Sequence, residues 1–265
     1  MIRKLFSKSK LLSEEDEYFQ IECFKWLLTH FGGDSFYKES KLVLPTNDYF
    51  PDKVESNESA AESTFKQVLK YAGMEDWPVE LVEQEQDPDL QVAETIVIQK
   101  AEHNPLGTFS INENKEVKIT YNPRLTANPL LMVSTFAHEI SHYLTACAPE
   151  PPPGGWGNWE FVTDIAATFI GFGVFQANSA FEFKQITSSS TMGWQTSRAG
   201  YLSEAEHCYA LAIFLGLKGI DSRLALEHCK KNVSSNLKKA LKELDESEIM
   251  DDLKTVKYIA KNSET

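Results

Sequence analysis

The sequence TFAHEISHYL, residues 135–144, contains one complete H-E-x-x-H motif, with His138, Glu139 and His142 at its defining positions. Positions four apart lie one above the other on the same face of a helix, so the two histidines can offer two imidazole nitrogens to one Zn²⁺. Glu139 borders the same site and can serve as a general base. The motif therefore predicts the two-ligand half of a zinc hydrolase.

The residues on both sides of the motif favour a helix with defined ends. Asn128 followed by Pro129 is typical of a helix start, an N-cap residue with proline at the first helical position. We expect this helix to run to about Ala146, because residues 149–155 contain four prolines and two glycines, which forbid regular structure. The loop also carries tryptophans, which could line a substrate cleft or merely pack between two helices.

A second helix is expected from 158 to about 176, and it is apolar almost all round, as buried helices are. Its only acidic residues, Glu160 and Asp164, are four apart and therefore share a face. Burying two carboxylates is costly unless they bind a metal or are paired and hydrogen-bonded. We therefore expect Glu160 to be the third zinc ligand and Asp164 to accept the distal N–H of His138 or His142. Two alternatives stay open: Glu160 could simply favour the helix dipole, or Asp164 could be the ligand.

The pattern H-E-x-x-H, followed after a loop by E-x-x-x-D on a second helix, resembles the gluzincin, or thermolysin-like, branch of the zincin metallopeptidases. The resemblance covers residues 120–175. It implies a zinc site formed by His138, His142 and Glu160, with Asp164 supporting a ligand histidine. It also implies a peptide or protein substrate.

Three protein ligands leave an open coordination position, which implies a mechanism. Glu139 is expected to take a proton from a water whose pKa the zinc lowers toward about 7, and to return it to the leaving amine.

Two features depart from the gluzincin pattern. The gap between His142 and Glu160 is slightly shorter than in thermolysin and the aminopeptidases, and the exopeptidase signature G-x-M-E-N is absent. The resemblance therefore gives no support for exopeptidase activity.

The candidate donors to the oxyanion lie near the start of a later helix. A capping-box pattern at 203–206 predicts that this helix runs to about Leu217, and Arg198 and Tyr201 precede it. Tyr201 is the first candidate and His207 the second. Alternatively, Tyr201 packs as a hydrophobic staple and His207 is an ordinary helix histidine.

Two other classes of protein compete with a peptidase. One is a non-catalytic zincin-fold protein that keeps zinc for structure, sensing or regulation, and a fourth protein ligand such as Cys147 or His207 would indicate it. The other is an ordinary helical protein in which the motif occurs by chance. Stoichiometric zinc would argue against that reading.

The length and composition of the chain argue against several classes of protein. A chain of 265 residues, 42% apolar and 25% charged, can build a sizeable core, and we expect one domain over 1–265, with a helical extension at 1–60 and a weakly ordered tail at 246–265. The net charge of −13 argues against nucleic acid as a partner. The apolar runs fall short of the roughly 20 residues that span a membrane, and the N-terminus is a poor signal peptide, which favours the cytoplasm. Four scattered cysteines indicate neither disulfides nor a cysteine zinc site, and the oligomeric state is not predicted.

The expected fold class is α+β, a mainly helical zincin-like domain with a small antiparallel-containing sheet before the H-E-x-x-H helix. In zinc peptidases the edge strand of such a sheet can hold an extended substrate, although each strand here could be purely structural. Further helices are predicted at 13–32, 60–71 and 224–244. The predicted strands are 79–82, 93–99, 107–111 and 116–121, the last two joined by a hairpin turn at 112–115.

Overall fold

The computed structural model describes residues 10–51, 59–85, 106–188 and 201–260. The helices and strands of this part form the α+β, mainly helical class that the sequence predicts. The α-helices are α1 (Glu14–Phe31), α2 (Ala60–Ala72), α3 (Pro129–Ala146), α4 (Trp159–Ala167), α5 (Gly173–Ser188), α6 (Glu204–Lys218), α7 (Ser222–Leu226), α8 (Lys231–Asp245) and α9 (Ile249–Lys254). The strands are β1 (Glu80–Glu83), β2 (Gly107–Ile111) and β3 (Val117–Tyr121).

The three strands form one mixed sheet with β3 in the middle, parallel to β1 and antiparallel to β2. The hairpin between β2 and β3 closes at the predicted turn, where the Asn112 side chain accepts the backbone N–H groups of Asn114 and Glu116. The strand predicted at 93–99 lies outside the described residues. Within the described part of the chain, β2 is an edge strand.

Helix α3 lies at the centre of the molecule and packs against α2, α4, α5 and β2. It begins and ends where the sequence predicts: the side chain of Asn128 accepts the N–H of Leu131, Pro129 is the first helical residue, and the helix ends at Ala146. Nearly all of its side chains from Leu131 onward are buried. The H-E-x-x-H motif therefore lies on a rigid central element.

The prediction of one continuous helix over 158–176 is wrong. Helix α4 passes into a π-helical segment, Thr168–Phe172, in which Gly171 has φ +107°, and the chain then continues as α5. That φ is accessible to glycine, and a Cβ there would overlap the carbonyl oxygen of Lys41. The break lets the Gly171 carbonyl accept the N–H of Val43 at 3.0 Å. A contact with a distant segment therefore sets the change of direction.

The helix predicted over 224–244 is also divided in two. Asn178 on α5 donates its side-chain N–H to the carbonyl of His228 and accepts the N–H of Lys230, each at 2.8 Å. These bonds satisfy the backbone of the turn between α7 and α8, so the turn replaces a continuous helix.

Both ends of the described chain pack against the core. Phe24 and Leu27 of α1 are fully buried, and so is Leu253 of α9. The N–H of Ile259 donates to the carbonyl of Thr29, which fastens the last described residues to α1. The described residues after 246 thus include one short helix, α9, and a segment that packs against α1. None of the helices in the described part is long and apolar enough to cross a membrane.

Candidate metal centre

Three side chains from α3 and α4 converge on one point. The Nε2 atoms of His138 and His142 are 3.1 Å apart, and Oε2 of Glu160 lies 3.2 Å from the first and 3.3 Å from the second. Both histidines are buried and Glu160 is partly buried. The three donors form a group that could hold a metal ion, as the sequence predicts.

The packing of α4 against α3 brings Glu160 to the two histidines. The intervening loop turns at Gly154 and Gly155, both with φ +77°. At its end, the indole N–H of Trp159 donates to Oγ1 of Thr145 at 2.8 Å. This bond fixes the first turn of α4 beside the last turn of α3, and Glu160 follows immediately.

Asp164 supports His138 from the side of the ring that faces away from the other donors. Its Oδ1 lies 2.8 Å from Nδ1 of His138, and its Oδ2 accepts the backbone N–H of Leu202 at 2.9 Å. A hydrogen on Nδ1 is thereby held by the carboxylate, which leaves the Nε2 lone pair for a metal. In this arrangement Glu160, and not Asp164, faces the two Nε2 atoms.

Thr163 supports the second histidine, a role that the sequence reasoning missed. Its Oγ1 lies 3.2 Å from Nδ1 of His142, and both side chains are buried. Each histidine is thus within hydrogen-bond distance of one of two adjacent side chains of α4, Thr163 and Asp164. The sequence contains a signal for this, since a polar residue follows Glu160 by three positions on an otherwise apolar helix.

Two aromatic rings pack against the ring of His142 and against each other. The ring of Phe109 lies nearly parallel to it at a centroid distance of 5.9 Å, and Trp159 meets it edge-on at 4.7 Å. Trp156 contacts Trp159 and is 43% exposed. Of the loop tryptophans, Trp159 is therefore packed between the helices, whereas Trp156 faces solvent.

Glu139 is buried next to the first residue of β2 and is not part of the donor group. A Cβ built on Gly107 would lie 2.8 Å from Oε1 of Glu139, so the glycine permits the close approach of strand and carboxylate. Burial raises the pKa of the Glu139 carboxyl to about 8, and the charge of His138 opposes part of that shift. Gly107 is a second residue that the sequence reasoning missed.

The charges around the donors favour a cation between them. Burial acts to lower the pKa of His138, but its hydrogen bonds with Asp164 and Glu160 outweigh burial and raise it well above the usual value. Burial lowers the pKa of His142. Burial would raise the pKa of Glu160, yet the bonds with both histidines lower it overall. The carboxylates thus stabilise positive charge at this point.

The other candidates lie at different distances from the donors. The centroid of the Tyr201 ring lies 5.6 Å from that of the His138 ring. His207 is buried, and its Nε2 lies 3.8 Å from Oδ2 of Asp164. Cys147 caps the end of α3. Neither it nor His207 belongs to the donor group, and the described residues contribute no fourth donor. Arg198 lies outside the described residues.

The resemblance to gluzincins depends only on the H-E-x-x-H motif of α3 and the E-x-x-x-D motif of α4, which face each other in the structure. No protein-family model, curated protein or solved structure matches the chain.

Proposed function

We propose that this protein is a zinc-dependent hydrolase, a peptidase that cleaves peptide bonds with Glu139 as general base. The observation that carries the proposal is the convergence of three nitrogen and oxygen donors, with a further buried acidic side chain, Glu139, that is outside the donor group but close enough to interact electrostatically with His138 and Glu160. Such a separation of ligands and base is what metal-assisted hydrolysis requires.

The donor set and its spacing fit zinc. Zinc binds histidine nitrogen and carboxylate oxygen at about 2.0–2.2 Å, so the donors of an ideal tetrahedral site lie about 3.3–3.6 Å apart. The observed separations between His138, His142 and Glu160 are 3.1–3.3 Å. Two histidines and one glutamate are also a ligand set of catalytic zinc sites, in which the fourth position is left to water.

The chain's own residues would then carry the proton transfers. When bound, zinc lowers the pKa of a water molecule and polarises a carbonyl group. A carboxylate oxygen of Glu139 accepts a proton from the water and passes it to the nitrogen of the leaving amine. Burial raises the pKa of Glu139 to about 8, and a nearby cation would bring it down, toward the working range of a base at neutral pH.

The position of β2 favours an extended peptide as substrate. This strand is at the edge of the sheet within the described residues, and its first residue, Gly107, contacts Glu139. Pairing with an edge strand binds an extended chain through main-chain hydrogen bonds, independent of its side chains. A peptide added beside β2 would pass close to the general base.

The test compares the metal-loaded protein with its Glu139→Gln variant on a proteome-derived peptide library. Glutamine keeps the shape of the side chain but accepts no proton, so we expect hydrolysis to fall about 10²- to 10⁴-fold while zinc stays bound. Mass spectrometry of the products would also distinguish endopeptidase from exopeptidase cleavage. Identical behaviour of the two proteins would overturn the proposal. Bound zinc without any cleavage would instead favour the non-catalytic metal-binding protein.

A further inference from the structure

His207 lies in the first turn of α6, behind the site as seen from the three donors. Its Nε2 is 3.8 Å from Oδ2 of Asp164, and the side chains of both residues are 4% exposed. Oδ1 of the same carboxylate holds Nδ1 of His138 at 2.8 Å. An imidazole, a carboxylate and a second imidazole thus follow one another, and the last belongs to the metal centre.

The surroundings of His207 determine where its hydrogen lies. Nδ1 of His207 is buried and has no hydrogen-bond partner among the residues that the structure describes. A hydrogen on Nδ1 would bury an unpaired N–H and would point the Nε2 lone pair at a carboxylate, and both are unfavourable. A hydrogen on Nε2 points the N–H toward Asp164 and leaves only an acceptor unpaired. Burial also lowers the pKa of His207, which disfavours the doubly protonated form.

We infer that neutral His207 is a positioning residue: its Nε2–H stabilises the Asp164 carboxylate, which in turn holds His138 with Nε2 turned toward the other metal donors. This inference rests on the metal centre proposed above. The backbone N–H of Leu202 donates to the same Oδ2 at 2.9 Å, so the described residues at the start of α6 supply one hydrogen bond to this oxygen and one imidazole near it. The start of α6 is thereby coupled to the metal centre.

The 3.8 Å separation sets the size of the effect. It exceeds the length of a direct hydrogen bond, so His207 acts through the field of its N–H dipole and contributes less than the bonds at 2.8 and 2.9 Å. Removing a group that directly supports a metal ligand costs about 10- to 100-fold in metal affinity. We expect about 10- to 100-fold for Asp164→Asn and about three- to tenfold for loss of the His207 N–H.

The test uses two amide variants of similar chemistry. In His207→Gln the terminal nitrogen takes the place of Nε2, whereas in His207→Asn it stands near the position of Nδ1 and cannot reach Asp164. We expect zinc affinity, measured by competition with a chromogenic chelator, to fall about three- to tenfold in His207→Asn and to stay within about twofold of the parent in His207→Gln. His207→Phe, which fills the space without an N–H, provides a second variant should the asparagine protein not fold.

A spectroscopic measurement separates this inference from the peptidase proposal. The His138 Nδ1 proton of the metal-free protein reports the bond to Asp164, and we expect its NMR signal to move upfield in His207→Asn and His207→Phe but not in His207→Gln. An unchanged signal in these two variants, or equal losses in all three with equal drops in melting temperature, would overturn the inference and leave His207 as a packing residue. Failure of the parent protein to cleave peptides would overturn only the peptidase proposal.

Discussion

Replacing Gly107 with alanine should slow peptide hydrolysis without loss of fold or metal. Gly107 opens β2 and lies against α3. The added Cβ would lie 2.8 Å from Oε1 of Glu139 and 2.9 Å from the methyl group of Thr135. A normal contact is about 3.5 Å, so the Glu139 carboxylate must retreat by about 0.7 Å, and it is the more flexible of the two neighbours. The proposed base therefore takes most of the displacement.

The size of the effect on rate follows from that displacement. A misplacement of 1 Å at a reacting group can cost about 10²-fold, so we expect hydrolysis by Gly107→Ala to fall about ten- to a hundredfold. The effect on folding should be moderate. Gly107 does not have a positive φ, and alanine at such a position gains about 0.4–1 kcal/mol through the unfolded state, which offsets part of the crowding against the buried side chains of Glu139 and Thr135. We expect the free energy of unfolding to fall by about 1–3 kcal/mol, which leaves the protein folded at the assay temperature.

The measurement follows the rate of cleavage of one peptide, the zinc content and the thermal unfolding of each variant. Gly157→Ala is the matched control, because Gly157 lies in the loop that enters α4 and has no atom within 4 Å of an added Cβ. It should retain the parental rate. A Gly107→Ala protein that binds zinc, folds normally and cleaves at the parental rate would refute the reasoning that this contact positions Glu139.

Other expected outcomes test the metal centre, the thiols and the bend after α4. Zinc at about 100 times its dissociation constant should stabilise the metal-free protein by about 2.7 kcal/mol, which raises the melting temperature by about 5–10 °C in differential scanning fluorimetry, and a chelator should reverse this. Thr163→Val, which removes the oxygen beside Nδ1 of His142, should lower zinc affinity by about tenfold in a competition titration while the fold is kept. Burial raises the pKa of the Cys229 thiol to about 11, and only the thiolate reacts with alkylating agents. Alkylation of Cys229 at pH 8, measured by mass spectrometry, should therefore be at least about tenfold slower than that of an ordinary thiol, and it should accelerate as the pH approaches 11. Gly171→Ala, at φ +107° against a backbone carbonyl, should cost about 2–4 kcal/mol in urea unfolding, whereas Gly73→Ala, at φ +69° in open space, should cost about 1 kcal/mol.

The features predicted correctly from the sequence are those set by neighbours along the chain. Ser203 and Glu206 form a reciprocal capping box at the start of α6, and Asn128 caps α3, because each interaction joins residues about three positions apart. The group of three side chains that could hold a metal ion is also predicted from the sequence. His138 and His142 are linked by helical periodicity, and Glu160 is marked by the cost of a carboxylate on an apolar helix.

The features that were missed depend on contacts between distant segments. At the bend, the carbonyl of Gly171 accepts the N–H of Val43, and Asn178 forms hydrogen bonds with the backbone of the turn after α7. The periodicity of the sequence predicts neither contact. The parallel pairing of β1 with β3 likewise depends on which strand meets which, a property of the assembled sheet. The sequence marks Gly107 only as a strand residue, because its close approach to Glu139 depends on how the sheet packs against α3.

Glu139 is the residue that favours the proposed hydrolase over a protein that only holds a metal. Holding a cation needs His138, His142 and Glu160, whose donors already converge, and a further buried carboxylate adds nothing to that set. It also has a cost: burial raises the pKa of Glu139 to about 8, so the metal-free fold must keep the group protonated near neutral pH or bury a charge. A cation bound beside it would favour the ionised form, which is the form that accepts a proton. In the proposed hydrolase, the side chain that is costly to bury without metal is also the one that accepts the proton once zinc is bound, and this supports the proposal of hydrolysis over metal binding alone.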